Sequence, residues 1–271
     1  MNPAFSSAQI ADEALAARDA ARQIAPFSER DPAFDLAQAY RAAGAVRALR
    51  IARGENPVGR KIGFTNRNIW AQYRVDGPIW GDVYDSTRHD LAAQDGPFSL
   101  AAFCEPQIEP EIMFRLASAP HPDMDDEATL GCIESVAHGF EIVDSIFPGW
   151  RFTAADTVAA FGLHGALLVG PAVPVANLPG AAAALKRLNV SLYRDGSHVE
   201  TAPGSNVLDS PLSALRHLAA VLGADPASPP LRAGEIVSTG TVTRAYPVAT
   251  GQSWRTEVSG IALPGVTVAF G

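Results

Sequence analysis

The chain has 271 residues, enough for one large domain or two small ones. Hydrophobic residues make up 47% of it, which favours a globular core over disorder. The formal net charge of -8 and the lack of a basic block exclude nucleic acid as the main partner. The two cysteines, Cys104 and Cys132, fit neither a disulfide framework nor a zinc-finger spacing, so we expect a reducing, cytoplasmic compartment.

Neither a targeting signal nor a membrane span is predicted. Asp12 and Asp19 lie where a secretory signal would need a basic start and an apolar run. Residues 157–185 contain no Asp, Glu, Lys or Arg, but Pro171 and Pro179 divide them into segments shorter than the ~20 residues of a spanning helix. We therefore expect no membrane partner.

The N-terminal part, residues 1–55, is predicted to be helical. Apolar residues at helical spacing predict a first helix from Ser6 or Ser7 to about Ala21. A second helix is predicted to begin at Asp31, with Asp as the N-cap and Pro32 in the first turn.

From residue 56 to residue 271, short apolar or alternating segments are separated by Gly, Pro and Asp, a pattern typical of strands. Strands are predicted at residues 109–116, 140–143, 164–169, 235–239, 254–258 and 266–270, with a hairpin at residues 190–201. Helices are predicted at residues 126–137, 154–160 and 210–222. Because strands and helices do not alternate regularly, this is not a doubly wound sheet, and residues 1–271 are predicted to form one domain.

The strongest chemical signal is the pair of acids Glu109 and Glu111 in a predicted strand. Residues i and i+2 of a strand point to the same side, so the two carboxylates are expected to project together. Partly buried neighbouring carboxylates repel each other unless a cation or a shared proton lies between them. Mg²⁺ prefers such oxygen ligands, although two solvated glutamates on an edge strand are the alternative.

Glu141 and Lys61 are two further candidates. Glu141 begins the segment EIVDS and is a candidate third ligand, with a salt-bridged or strand-end glutamate as the alternative. Lys61 lies within residues 59–63 (GRKIG), where glycines and apolar neighbours can hold a cation that transfers a proton or clamps a negative charge. The alternative is a surface lysine in a turn, and the glycines do not form a phosphate-binding loop.

Together these motifs resemble the fumarylacetoacetate hydrolase superfamily. Within it they are most similar to the 2-keto-4-pentenoate hydratase branch, which also holds 2-oxohept-3-ene-1,7-dioate hydratase and 4-oxalocrotonate decarboxylase. The resemblance extends from about the second helix to the C-terminus. It depends on residues 59–63 (GRKIG), 109–112 (EPEI), 141–145 (EIVDS), 156–157 (DT) ahead of Gly165, and 231–241 (LRAGEIVSTGT).

The resemblance implies a fold, a metal and site residues. The fold is of the α+β class, a mixed β-roll or sandwich wrapped by short helices, and the active site is built around one Mg²⁺ or Mn²⁺. Members are usually homo-oligomers built on dimers. The implied metal ligands are Glu109, Glu111 and Glu141; Lys61 is the lysine that faces the bound 2-oxo acid; Thr239, Gly240 and Thr241 form the segment that closes over the substrate carboxylate.

The chain departs from this pattern at two places. Relatives commonly have an Asp-Asn-Ala-Ser-like run where residues 160–164 read AFGLH, and they tend to carry an acid at the position of Ile79. His164, with an ordinary pKa near neutrality, is a candidate compensating acid or base; the alternative is a histidine that hydrogen-bonds locally. His138 is a candidate for supporting a metal ligand.

We therefore predict a metal-dependent hydratase that adds water to a short 2-oxo or 2-hydroxy-dienoic acid from aromatic catabolism. The same metal and enolate chemistry serves decarboxylation of a 2-oxo acid or C–C hydrolysis of a 1,3-diketone, so the metal ligands do not distinguish these reactions. A catalytically silent family member is a further alternative. The departures favour it, whereas three carboxylates and Lys61 disfavour it, because buried charges are costly without a role.

Overall fold

The computed structural model describes residues 5–271, in which two β-sheets are surrounded by helices. The helices are α1 (Ser7–Asp19), α2 (Phe27–Arg30), α3 (Leu36–Ala52), α4 (Trp70–Tyr73), α5 (Asp126–Leu130), α6 (Ala154–Ala159), α7 (Ala181–Arg187) and α8 (Pro211–Ala224). The strands are β1 (Pro57–Gly63), β2 (Ile79–Tyr84), β3 (Arg88–Asp90), β4 (Gln107–Leu116), β5 (Ile133–Val143), β6 (His164–Val169), β7 (Val173–Pro174), β8 (Asn189–Arg194), β9 (Ser197–Pro203), β10 (Ile236–Thr241), β11 (Tyr246–Pro247), β12 (Ser253–Ser259) and β13 (Thr267–Ala269).

The larger sheet has nine strands and mixed directions. Its main order is β2-β1-β10-β4-β5-β6-β3, with β11 beside β4 and β7 beside β5. The pairs β1–β10 and β3–β6 are parallel, and the others are antiparallel. The smaller sheet has the order β13-β12-β8-β9 and contains the predicted hairpin. Helices around a mixed sheet and a second sheet confirm the predicted α+β fold.

The N-terminal helices begin where side chains cap them. Ser6, one of the two predicted starts of the first helix, forms a capping box with Gln9 at the start of α1. The predicted start of the second helix at Asp31 is wrong, because Asp31 instead ends the short α2. The longer α3 begins after Asp35, whose carboxylate accepts a hydrogen bond from the Gln38 N–H at 2.8 Å. Asp35, four residues after the predicted cap, forms a capping box with Gln38, and this cap determines the start of the helix.

The predicted helix over residues 126–137 is also wrong beyond its first half. The acids of its first turn do form α5, which ends at Leu130. Residues 133–143 then form the long strand β5, of which the predicted strand at 140–143 is only the end. The strand pairs with β4 along its length and with β6, and this pairing with distant segments overrides the local helical pattern.

Asp156 links the helical N-terminal part to the segment that leads into the site. Its carboxylate accepts hydrogen bonds from the Ser28 N–H at 2.9 Å, the Ser28 hydroxyl at 2.5 Å, and the Thr153 N–H and hydroxyl at 2.8 Å each. Phe27 packs in the same hydrophobic cluster as the apolar side of α6. Asp156 therefore stabilises the start of α6 and fixes α2 against it.

No helix within the part of the chain that the structure describes is both long enough and apolar enough to cross a bilayer.

We predict that Asp156→Ala lowers the free energy of unfolding by about 1–3 kcal/mol, because it removes a buried carboxylate that accepts four hydrogen bonds from Ser28 and Thr153. Urea denaturation followed by circular dichroism measures the change. Asp19→Ala is the matched control, since its ion pair with Arg53 is solvent-exposed and should cost less than about 1 kcal/mol. Equal losses in both variants would contradict the linking role of Asp156.

Candidate metal centre

Three carboxylates converge on one face of the larger sheet. Glu109 and Glu141 are cross-strand partners on β4 and β5, and Glu111 lies two residues further along β4. One carboxylate oxygen from each residue lies within 4.8 Å of the others. Glu111 and Glu141 are fully buried, whereas Glu109 is partly exposed. The pair that sequence periodicity placed on one side is thus joined by Glu141 from the neighbouring strand.

Each of the two buried carboxylates has one oxygen held by the protein. Glu111 Oε2 accepts hydrogen bonds from the Gly240 N–H at 2.9 Å and from the Ser238 hydroxyl. Glu141 Oε1 lies 2.7 Å from His164 Nδ1. The other oxygens, Glu111 Oε1 and Glu141 Oε2, make no hydrogen bond within residues 5–271. Glu141 Oε2 lies 3.2 Å from Lys61 Nζ as an ion pair.

These oxygens fit a divalent cation. A buried carboxylate oxygen without a partner is costly, and a cluster of them is stable only beside a compensating positive charge. An all-oxygen set of carboxylates is the kind of site that Mg²⁺, Mn²⁺ and Ca²⁺ prefer. Glu109, Glu111 and Glu141 are therefore able to hold such an ion.

Gly240 reaches Glu111 because the strand pairing is interrupted there. The register between β10 and β4 shifts between Ser238 and Thr241, and Gly240 adopts a φ of +100°. A Cβ at this position would lie 1.8 Å from Thr65 Oγ1, so a side chain does not fit. The interruption turns the Gly240 N–H away from the ladder and toward the carboxylate.

The other two residues of the predicted substrate segment bind backbone carbonyls. The Thr239 hydroxyl donates to Ile112 O and the Thr241 hydroxyl donates to Thr243 O, each at 2.9 Å. Both threonines are buried, and neither they nor Gly240 line the cavity beside the carboxylates.

Lys61 is buried in β1 and lies against the carboxylate cluster. Its Nζ donates a hydrogen bond to Gly162 O at 2.9 Å in addition to its ion pair with Glu141. Burial by itself would lower the pKa of the ammonium, but the charges of Glu141, Glu109 and Glu111 raise it above its ordinary value. Lys61 is therefore a cation and not a turn lysine on the surface.

The same crowding also raises the pKa of the acids, which favours their neutral form. Burial, followed by repulsion from Glu141, raises the pKa of Glu111 to about 8. Burial, followed by repulsion from Glu111, also raises the pKa of Glu109 well above its ordinary value. In the absence of a cation, the cluster retains protons at neutral pH.

His164 is buried, and both of its ring nitrogens have partners. Nδ1 faces Glu141 Oε1, and Nε2 lies 2.9 Å from the Thr87 hydroxyl. Burial, together with the positive charges of Lys61 and Arg18, lowers the pKa of His164 well below its ordinary value, so the ring is neutral. His164 does not line the cavity, and the structure therefore brings this predicted acid or base to a carboxylate and not to the substrate space.

His138 has a similar environment but a different partner. Its Nδ1 lies 3.0 Å from the backbone oxygen of Glu111, and its Nε2 lies 2.8 Å from the Thr256 hydroxyl. It contacts the backbone of a candidate ligand and no carboxylate of the cluster.

A small cavity of about 30 Å³ lies beside Lys61 and Glu109. That volume holds about one water molecule. Its remaining wall is mainly apolar or aromatic and consists of Gly63, Phe64, Ile69, Tyr73, Ile79, Val143, Trp150, Gly162 and Leu163. Tyr73 and Trp150 also line a cleft of about 640 Å³, so these two side chains separate the carboxylates from the larger space.

Sequence reasoning missed Thr87 and Tyr73, and it did not assign Ser238 to the site. Ser238 lies within the segment 231–241 that carries the resemblance, which is a usable signal. Thr87 and Tyr73 lie in segments without a chemical pattern and reach the site through the packing of distant elements.

Because the pKa of Glu111 is about 8 in the fold and near 4.5 in the unfolded chain, the folded state binds more protons between these values. We predict that the chelator-treated protein loses stability as the pH rises from about 5 to about 8, measured as the midpoint of urea denaturation. Glu111→Gln should reduce this slope. Glu134→Gln, which changes an exposed side chain, should keep it. A wild-type midpoint that rises over this range would contradict the prediction.

Comparisons with known proteins identify the family. Residues 82–268 match the family model described as fumarylacetoacetate (FAA) hydrolase C-terminal. The 2-hydroxyhexa-2,4-dienoate hydratase of Comamonas testosteroni is 31% identical over 243 residues, which cover 89% of each chain. The 4-oxalocrotonate decarboxylase of Pseudomonas sp is 30% identical over 258 residues, covering 94% of this chain and 93% of the relative.

Two solved structures share the fold of this chain. The 4-oxalocrotonate decarboxylase from Pseudomonas putida G7, complexed with magnesium and adipate, superposes with a TM-score of 0.88 at 26% identity and 97% coverage of both chains. Fumarylpyruvate hydrolase from Pseudomonas aeruginosa, in complex with Mn²⁺ and pyruvate, shares the fold with a TM-score of 0.61 at 13% identity, covering 78% of this chain and 88% of that one. The chain therefore belongs to the fumarylacetoacetate hydrolase family of enzymes, as the resemblance of its motifs predicted.

Proposed function

We propose that the chain is a hydro-lyase that uses Mg²⁺ or Mn²⁺ to add water to a short 2-hydroxy-2,4-dienoate or its 2-oxo tautomer in aromatic catabolism. The observation that carries the proposal is that the two oxygens of each carboxylate, in Glu111 and in Glu141, differ in their hydrogen bonding. Each uses one oxygen for the protein and leaves the other without a hydrogen bond, beside Glu109. The names of the hydratase relatives support the choice of reaction.

In this proposal Glu109, Glu111 and Glu141 hold the cation. When bound, the cation supplies Lewis-acid stabilisation of the negative charge that develops on the oxygen at C2 of the substrate. The protein contributes by holding the carboxylates in place before the cation arrives, since Gly240, Ser238 and His164 already bind them.

Lys61 contributes a second positive charge next to the same carboxylates. Its ammonium donates one hydrogen bond to Gly162 O and forms an ion pair with Glu141 Oε2, and the residue lines the cavity. A substrate oxygen in that cavity would therefore meet a fixed cation as the enolate forms. Lys61 can also transfer the proton that the 2-hydroxyl loses and C5 gains when the dienoate becomes the 2-oxo-3-enoate. Conjugation with the 2-oxo group makes C4 of that tautomer electrophilic, and water adds there as C3 takes up a proton.

The cavity must enlarge before a substrate can enter, because its volume suits one water molecule. Tyr73 and Trp150 separate it from the larger cleft, and a movement of these two side chains would join the two spaces. We therefore assign substrate entry to this side of the site.

Decarboxylation of a 2-oxo acid is a second candidate. It is favoured by the close structural match to a 4-oxalocrotonate decarboxylase and by the 30% identical relative of that name. Both reactions need the same stabilisation of negative charge at C2, so the carboxylates and Lys61 serve either one. A catalytically silent family member is disfavoured. Buried carboxylate oxygens without a hydrogen bond and a buried ammonium would destabilise a fold that does not use them.

We expect the protein to convert 2-hydroxypenta-2,4-dienoate or a homologue to the 4-hydroxy-2-oxo acid only when Mg²⁺ or Mn²⁺ is added. A panel of 2-hydroxydienoates with and without a second carboxylate, followed by product analysis, separates addition of water from loss of CO₂. Glu111→Ala should abolish metal-dependent turnover and retain the circular dichroism spectrum. Turnover that persists in this variant or in excess chelator would contradict the metal mechanism.

We predict that Lys61→Met lowers kcat by roughly 10²–10³ with little change in metal affinity, because it removes preorganised charge from the developing enolate. Lys61→Arg should rescue part of the loss, since the guanidinium keeps the charge but transfers a proton poorly. Steady-state kinetics on the verified substrate and calorimetric metal titration measure the two effects. A wild-type kcat in Lys61→Met would exclude the lysine from the reaction.

A further inference from the structure

A continuous chain of hydrogen bonds connects the backbone of β2 to the Glu141 carboxylate. The Tyr84 N–H donates to the Thr87 hydroxyl at 3.2 Å. The Thr87 hydroxyl lies 2.9 Å from His164 Nε2, and His164 Nδ1 lies 2.7 Å from Glu141 Oε1. All four groups are buried, so water does not compete for these contacts.

The directions of these hydrogen bonds follow from the donor inventory. When Glu141 is ionised, as a cation-holding carboxylate is, its oxygen only accepts, so His164 Nδ1 carries the ring proton and donates a hydrogen bond to it. The Nε2 of the neutral ring is then an acceptor, which the Thr87 hydroxyl can satisfy at 2.9 Å; the other acceptor within reach of this hydroxyl is Tyr84 O, at 3.1 Å. A Thr87 hydroxyl that donates to Nε2 favours the tautomer in which the imidazole holds the carboxylate.

A local irregularity in the sheet delivers the ring to this place. In the pairing of β5 with β6, Ile142 faces Ala166 whereas Val143 faces His164, which leaves Gly165 as an extra residue. A Cβ at Gly165 would lie 2.7 Å from Ile142 O, so this close approach of the two strands requires glycine. The bulge sits directly beside Glu141.

Without the imidazole, Glu141 would have a competing partner. Its Oε2 is already attracted by the Lys61 ammonium at 3.2 Å. If Oε1 were released, the carboxylate could rotate and offer both oxygens to Lys61, which would withdraw it from Glu109 and Glu111. The imidazole opposes this rotation because it holds the oxygen on the far side of the carboxylate.

We propose that His164, held by Thr87, is a positioning residue that keeps the Glu141 carboxylate oriented toward a divalent cation and does not itself exchange protons with the substrate. The inference rests on the proposed metal site. It differs from the role of compensating acid or base that the sequence suggests, because both ring nitrogens are engaged and the ring does not line the cavity.

Two amide substitutions distinguish the roles of the two ring nitrogens. In His164→Asn the side-chain amide takes the place of Nδ1 and can still donate to Glu141. In His164→Gln the amide takes the place of Nε2 and meets Thr87 instead. We expect His164→Gln to weaken binding of Mg²⁺ or Mn²⁺ to the chelator-treated protein by about 10–100-fold, and His164→Asn to stay within about threefold of wild type. Isothermal titration calorimetry measures both, with Mn²⁺ electron paramagnetic resonance as a second readout.

His138→Gln is the matched control. His138 is buried in the same way and bonds to a threonine, but its other partner is a backbone oxygen. This variant should retain the wild-type metal affinity even if it loses stability. Thr87→Val tests the other end of the chain, and loss of the fixed tautomer should weaken metal binding by about 3–10-fold. It also keeps the inference testable if His164→Gln does not fold.

Kinetics then separate positioning from acid or base catalysis. At saturating metal a positioning residue leaves kcat largely restored in His164→Gln, whereas loss of an acid or base leaves kcat low in both the Gln and the Asn variants. Unchanged metal affinity in folded His164→Gln and Thr87→Val, with the wild type binding normally, would overturn the inference alone. A wild-type protein that binds neither ion would overturn the proposed function and this inference with it.

Discussion

The mutual repulsion of three neighbouring carboxylates, two of them fully buried, is the constraint on which this site depends. Glu109, Glu111 and Glu141 share one side of the sheet, where burial of Glu111 and Glu141 limits the screening of their charges by water. Three neighbouring strands supply groups that compensate the negative charge: β1 an ammonium, β10 a hydroxyl and a backbone N–H, and β6 an imidazole. The hydroxyl, the N–H and the imidazole bind one oxygen each of Glu111 and Glu141, and the second oxygen of each makes no hydrogen bond within the described residues, which suits a divalent cation.

The compensating groups arrive through irregular features of an otherwise regular sheet. Gly240 donates its N–H to Glu111 because the β10–β4 ladder is interrupted, and His164 reaches Glu141 at a bulge centred on Gly165. The carbonyl that receives Lys61 belongs to Gly162, three residues after the end of α6. Since Asp156 fixes α6 against the N-terminal helices, the helical part of the chain also supports the geometry of the centre.

The wall of the small cavity departs from the pattern that the resemblance implies. Ile79 places an apolar group where the resemblance implies an acid, residues 160–164 replace a polar run, and His164 bonds to a carboxylate and does not line the cavity. The charged side chains that line the small cavity are Lys61 and Glu109. In the proposed reaction these two groups face a mainly apolar wall, where a fixed charge has a larger effect than in water.

The sequence by itself determined those features that depend on neighbours along the chain. The period of two in a strand put Glu109 and Glu111 on one side, the capping pattern at Ser6 started α1, and the order of short motifs identified the family. The start of α3, the full length of β5 and the convergence of Glu141, Lys61 and His164 were decided only by the tertiary structure. Local patterns are weak evidence there, because pairing between strands distant in the sequence sets the register, and the register determines which side chains meet.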